Sequence, residues 1–194
     1  MTLTRRGAAL LAVLLGALPA AFAGADSFSP VRLSIAVAPV ARLHKPLRVT
    51  VHLSADPGVL DNRSGALRMR VKLATECSGT YQYTPGIVLL DKRLSPQPST
   101  GHGYSGSVSG SGRPTAYGVR TVCAWLESES DQRVFASDQS TQVDVSRACT
   151  RAANRYDSER RRPARGAAAI RRKRRILAAD RRVARQTCGP GVTL

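Results

Sequence analysis

The feature that most narrows the fold is a change of hydrophobic period near residue 147. Before it, apolar residues return at every second position. Val31, Leu33, Ile35 and Val37 do so, as do Leu47, Val49, Val51 and Leu53, and then Leu67, Met69, Val71 and Leu73. A pleated strand points successive side chains to opposite faces, so the pattern marks half-buried antiparallel strands. Further strands are expected over 86–91, 103–109, 116–127 and 141–146. Turn-forming clusters separate them: Asp56-Pro57-Gly58, Asn62-Arg63-Ser64-Gly65, Pro96-Gln97-Pro98 and the run from Gly110 to Pro114. Short strands at this spacing predict an antiparallel β-sandwich over residues 28–146.

After residue 146 the alternation stops. Ala148, Cys149, Ala152, Ala153 and Tyr156 fall at helical spacing. Ile170, Ile176, Leu177, Val183 and Ala184 form a second, narrow stripe. Pro163 and Gly166 break the pattern between them. Two helices are expected, about 147–161 and 167–186, folded back as a hairpin over 147–188, with a short tail at 189–194. The arms are unequal. The second helix must overshoot or fray, or the chain after Thr187 must double back.

The first residues read as an export signal. Arg5 and Arg6 precede an apolar run from Ala8 to Leu18, Pro19 ends it, and Ala21-Phe22-Ala23 fits a small-x-small cleavage site. Residues 1–23 are therefore expected to be a signal peptide, with Ala23-Gly24-Ala25 as the alternative cut. Crossing a bilayer takes about 20 apolar residues, roughly twice this run. No transmembrane segment is expected after cleavage, and the mature chain is placed outside the cytoplasm, secreted or held at the cell surface. Four cysteines follow: Cys77, Cys123, Cys149 and Cys188. An even count in an exported chain reads as disulfides, and four cysteines allow three pairings. Pairing within each region, Cys77 with Cys123 and Cys149 with Cys188, is the simplest. Each bridge would contribute up to about 4 kcal/mol in the loop-entropy model. Zinc-type spacing is absent, and no metal or cofactor is expected.

The run AYGVRTVCAWLE, from Ala116 to Glu127, is similar to the penultimate strand, G-x-Y-x-x-C-A-Y-L, of Ig-like or fibronectin-III-like domains in secreted bacterial proteins. The resemblance covers roughly residues 28–146. It implies an Ig-like sandwich in which an earlier cysteine after a central strand, here Cys77, pairs with Cys123, and it implies no catalytic residue. The strand from Thr141 to Val145 matches the final strand of such domains. Thr121 stands where antibody domains carry their corner tyrosine, a departure from that pattern. Cys77 shares parity with the core-facing residues of the 67–73 strand. Trp125, on the parity of Cys123, is then expected to plug the core beside the bridge.

Other chemistry-bearing patterns have plainer readings. Gly101 to Gly106 spells GxGxxG, but no helix-forming sequence follows it, so a loop entering a Gly/Ser-rich strand is expected rather than a dinucleotide site. His44, His52 and His102 are the only histidines, and no GxSxG elbow accompanies them. Glu127, Glu129 and Asp131 read as a solvated hairpin end. Asn62-Arg63-Ser64 is a glycosylation sequon. The chain is expected not to be an enzyme.

Charge divides the chain where the period does. Residues 24–146 carry 13 Lys/Arg and 10 Asp/Glu, whereas 147–194 carry 15 and 3, a net of +12. A solvating helix face mixes both signs, and this excess costs self-repulsion that a polyanion would relieve. The expected polyanion-binding residues are Arg151, Arg155, Arg161, Arg162, Arg171, Arg172, Lys173, Arg174, Arg175, Arg181, Arg182 and Arg185. The expected partner is an anionic envelope polymer or acidic surface. With 5% aromatics, specific nucleic-acid reading is not expected. The alternatives are a spacer module with no specific ligand, and an envelope hydrolase.

Overall fold

Strand β3 (Leu47–Ala55) shows what the alternation does: Leu47, Val49, Val51, Leu53 and Ala55 are buried while Arg48, His52 and Ser54 face water. The computed structural model describes residues 31–60, 66–94, 102–190 and 192. The expected signal peptide, the Asn62-Arg63-Ser64 sequon, the Pro96-Gln97-Pro98 turn, Gly101 and most of the tail beyond Pro190 lie outside the described residues. β3 is the centre of a three-stranded antiparallel sheet, between β1 (Val31–Val37) and β6 (Tyr104–Gly112).

A five-stranded sheet packs against it, in the order β2 (Val40–Ala41), β8 (Val134–Val145), β7 (Gly118–Ser128), β4 (Leu67–Ala74), β5 (Gly86–Arg93). Its pairs are antiparallel except β2 with β8, which is parallel. Leu67, Met69 and Val71 of β4, Val122, Ala124 and Leu126 of β7, and Val143 and Val145 of β8 meet Val49, Val51 and Leu53 in one core. The chain is thus a mainly antiparallel β-sandwich followed by α1 (Arg147–Arg161) and α2 (Ala167–Cys188), an antiparallel helical pair.

The Gly/Ser alternation of β6 follows from the gap between the sheets. Ser105, Ser107, Ser109 and Ser111 point outward and are exposed. Gly110 and Gly112 point at β5, whose backbone comes so close that a Cβ on Gly110 would lie 2.3 Å from the Leu89 carbonyl oxygen, and one on Gly112 2.6 Å from that of Val88. At Gly106 the ring of Tyr104 fills the space a side chain would take. The GxGxxG run thus leads into a tightly packed strand, as expected.

Two readings need correction, and one strand was missed. The last strand begins at Val134 rather than 141, because register shifts against β7 break the alternation that would have marked its first half. The two-residue strand β2 gave no periodic signal. The cysteine parity was also misjudged. Cys77 does pair with Cys123 and Cys149 with Cys188. However, Cys123 and Trp125 point away from the inter-sheet core, because Val122, Ala124 and Leu126 take the inner face of β7. The bridge ties the 75–85 loop to the outer face of the five-stranded sheet, and Trp125 is buried under that loop rather than between the sheets.

Forcing a methyl group into the β5–β6 contact requires backbone movement. Gly110→Ala is expected to lower the unfolding free energy by about 1–3 kcal/mol, while the outward Ser107→Ala stays within about 0.5 kcal/mol of the parent. Urea denaturation of the two variants checks this.

Candidate polyanion-binding surface

The hairpin is built from its root outward. Ser146 caps α1, its side chain accepting from the Cys149 amide at 3.3 Å, and the Ser146 amide donates to the Ala41 carbonyl at 3.1 Å. The start of α1 is thereby continuous with the β2–β8 pairing. The Leu43 amide donates to Thr150 Oγ1 at 3.0 Å. Arg42, only 5% exposed, reaches across to α1 and donates to Asp157 Oδ2 at 2.7 Å and Asn154 Oδ1 at 3.2 Å. Cys149, Ala153 and Cys188 bury against Val40 and Val192. The Cys149–Cys188 bridge thus closes the hairpin against the sandwich.

Further out the seam is thin. Its buried positions on α2 are Asp180, Ala184 and Cys188, four residues apart, and Arg155 Nε meets Asp180 Oδ1 at 3.0 Å. The expected α2 stripe is corrected here: Ala184 is buried, Ile176 and Leu177 are half-buried, but Ile170 and Val183 are 40% and 52% exposed. Lys173 turns inward, its Nζ donating to the Arg160 carbonyl at 3.1 Å and to that of Arg162, and so caps the end of α1. Of the three ways to reconcile unequal arms, α2 overshoots. The residues before Lys173, from Ala167, project past α1 by about 9 Å at 1.5 Å per residue.

This settles where the expected cations stand. Arg171, Arg174, Arg175, Arg181, Arg182 and Arg185 are exposed. At 100° per residue they fall within an arc of about 120° on the exposed side of α2, with Arg181 at its edge beside the seam. They form a band about 21 Å long. Arg172 is exposed to one side of the band, and Arg151 and Arg161 are exposed on α1. Three cations also serve within the hairpin: Arg155 pairs with Asp180, Arg162 with Glu159 at 3.0 Å, and Lys173 caps α1. The residues that sequence reasoning missed are Arg42, Thr150 and Asp157, which aim the hairpin. Their partners lie more than 100 positions away, beyond any local pattern.

A second charged cluster lies on the outer face of the five-stranded sheet. Glu127 is corrected from solvated to buried. Its carboxylate accepts from Arg70 Nη1 at 2.8 Å and from the Tyr81 amide at 3.1 Å. Lys72 Nζ lies 3.9 Å from the centre of the Tyr81 ring and donates to the Tyr81 and Thr84 carbonyls. Burial lowers the Lys72 pKa and raises that of Tyr81. The Tyr81 ring meets Trp125 edge-on at 5.8 Å. With Cys77–Cys123, these contacts pin the 75–85 loop. Glu129 accepts from Arg93 and Arg68, and these bonds hold its pKa below the ordinary value of 4.5. His44 lies in the turn before β3, His52 on the outer face of β3 and His102 before β6, and all three are exposed.

No protein-family model matches the chain, and no curated protein matches it. Among solved structures it is similar to a CARDB domain from Pyrococcus furiosus, crystallised with di-metal ions. The identity is 15%, over 59% of this chain and 85% of that one, with a TM-score of 0.37. A likeness at that level carries no functional inference. Among the described residues, no group of three or more His, Cys, Asp or Glu is placed to hold a metal, and no helix is long and apolar enough to cross a membrane.

Replacing Cys149 and Cys188 together with alanine removes a closure across 39 residues. It is expected to cost up to about 4 kcal/mol, with helical circular-dichroism signal lost before strand signal on heating. The depressed Glu129 pKa gives a signed pH effect. Its ion pairs favour the folded state above pH 4.5, and that contribution is lost as pH falls through the lower folded value. Unfolding curves from roughly pH 5 to roughly pH 2, where carboxylates titrate, are expected to be less acid-sensitive in Glu129→Gln.

Proposed function

We propose that the chain is a secreted, non-enzymatic binding protein of the cell envelope, whose helical hairpin docks on an anionic polymer or acidic surface. The observation that carries this is the disposition of the hairpin's acids. All three are engaged inside the protein: Asp157 by Arg42, Glu159 by Arg162 and Asp180 by Arg155. The band from Arg171 to Arg185 therefore has no hairpin carboxylate left to neutralise it. A chain with regularly spaced negative charges, laid along α2, relieves that repulsion by displacing counterions. Export through the 1–23 segment would put the band outside the cytoplasm, where wall polymers and acidic headgroups are the available polyanions. The narrow apolar face of the hairpin favours docking on such a surface over insertion into it.

Retention of the mature protein on isolated envelopes across a salt series tests the proposal. Binding is expected to fall steeply with salt. Arg171→Gln, Arg175→Gln and Arg182→Gln combined are expected to reduce the slope of log K against log salt by about three, near one per lost contact. Salt-independent retention, or retention unchanged in the triple variant, would count against it.

A further inference from the structure

A cleft of about 830 Å³ lies between the sandwich and α1, within the size range of small-molecule sites. It is separate from the α2 band, which lies on the exposed side of α2. Its walls are apolar: Val37, Val40, Pro46 and Leu47 come from the sandwich, and Pro190 and Val192 from the chain after α2. Its exposed charges are all positive. Lys45 and Arg48 reach it from the β2–β3 turn and β3, and Arg160 and Arg161 from the last turn of α1, all four exposed. The one acid in its lining, Asp157, is already engaged by Arg42 at 2.7 Å.

We propose that this cleft binds a single-chain amphiphilic anion: an aliphatic tail carrying a terminal phosphate or carboxylate. Each half of that description answers a separate observation. A small polar anion would meet the cations but leave the proline and valine walls in water. A neutral lipid would cover the walls but bring nothing to the four cations of the lining. A monomeric amphiphile does both, with its tail against Val37, Val40 and Pro46 and its head among Lys45, Arg48, Arg160 and Arg161. Because the walls come from both the sandwich and the segment after α2, the site requires the docked hairpin.

Calorimetric titration of the full chain with decyl phosphate, kept below its micellar concentration, tests the assignment. One-to-one binding is expected, at least tenfold tighter than inorganic phosphate or decanol. Octyl phosphate is expected to bind about fifteenfold more weakly than decyl phosphate, near a fourfold loss for each of two methylenes. Lys45→Glu with Arg48→Glu changes two exposed residues and is expected to weaken binding at least tenfold with an unaltered melting temperature. Ala38→Trp, which fills the cleft, is expected to abolish binding, while the Arg171, Arg175 and Arg182 triple variant binds as the parent does. The proposal is overturned if the Lys45/Arg48 variant binds normally, if inorganic phosphate binds as tightly as decyl phosphate, or if the triple variant alone loses binding. It is also overturned if phosphatidylglycerol vesicles bind while the monomer gives no heat. Failure here leaves envelope retention by the α2 band unaffected, so the two assignments stand or fall separately.

Discussion

Burying a guanidinium costs several kcal/mol unless charge and hydrogen bonds compensate it, and Arg42 finds that compensation where the sandwich meets α1. Its contacts with Asp157 and Asn154 join residues more than 100 positions apart. The same short segment carries β2, which pairs with the end of β8, and the Leu43 amide that Thr150 accepts. Strand pairing, helix cap and buried ion pair therefore converge on residues 39–44. The direction of the hairpin is fixed there, and with it the placement of every arginine on α2.

The alternating segments were the legible part of the fold. In β3, and in β4 as far as Leu73, each inward position is apolar and each outward one polar, so period and strand coincide. Legibility failed where a strand departs from ideal pairing. The first half of β8 sits across register shifts, and β2 is too short to show a period. Cys123 and Trp125 misled for a different reason. Both faces of β7 are buried from Val122 to Ser128, one by the opposite sheet and one by the 75–85 loop, so hydrophobicity could not say which was the core.

The cationic residues were legible as a charge excess but not as a geometry. Sequence spacing placed five charges around α2 between Arg171 and Arg175. The fold withdraws Lys173 to cap α1 and gathers most of the others on one face. The carboxylates mattered more than their number suggested. Asp157, Glu159 and Asp180 form internal pairs, so the band is less neutralised than a count of charges implies. Neither Arg42 nor the cleft beside it could be foreseen, because both arise from elements brought together only by docking.

The position of the second disulfide bears on survival outside a cell. The α1–α2 connection, Arg162 to Gly166, is short, largely exposed and rich in arginine, the kind of site that trypsin-like enzymes cut. Because Cys149 and Cys188 are joined at the opposite end of the hairpin, such a cut separates no material. The nicked molecule remains one covalent body, with α2 tethered by sulfur and still seated against α1. Only reduction together with cleavage would release the arginine-rich helix. A chain built this way tolerates a break in its most vulnerable loop without losing its charge.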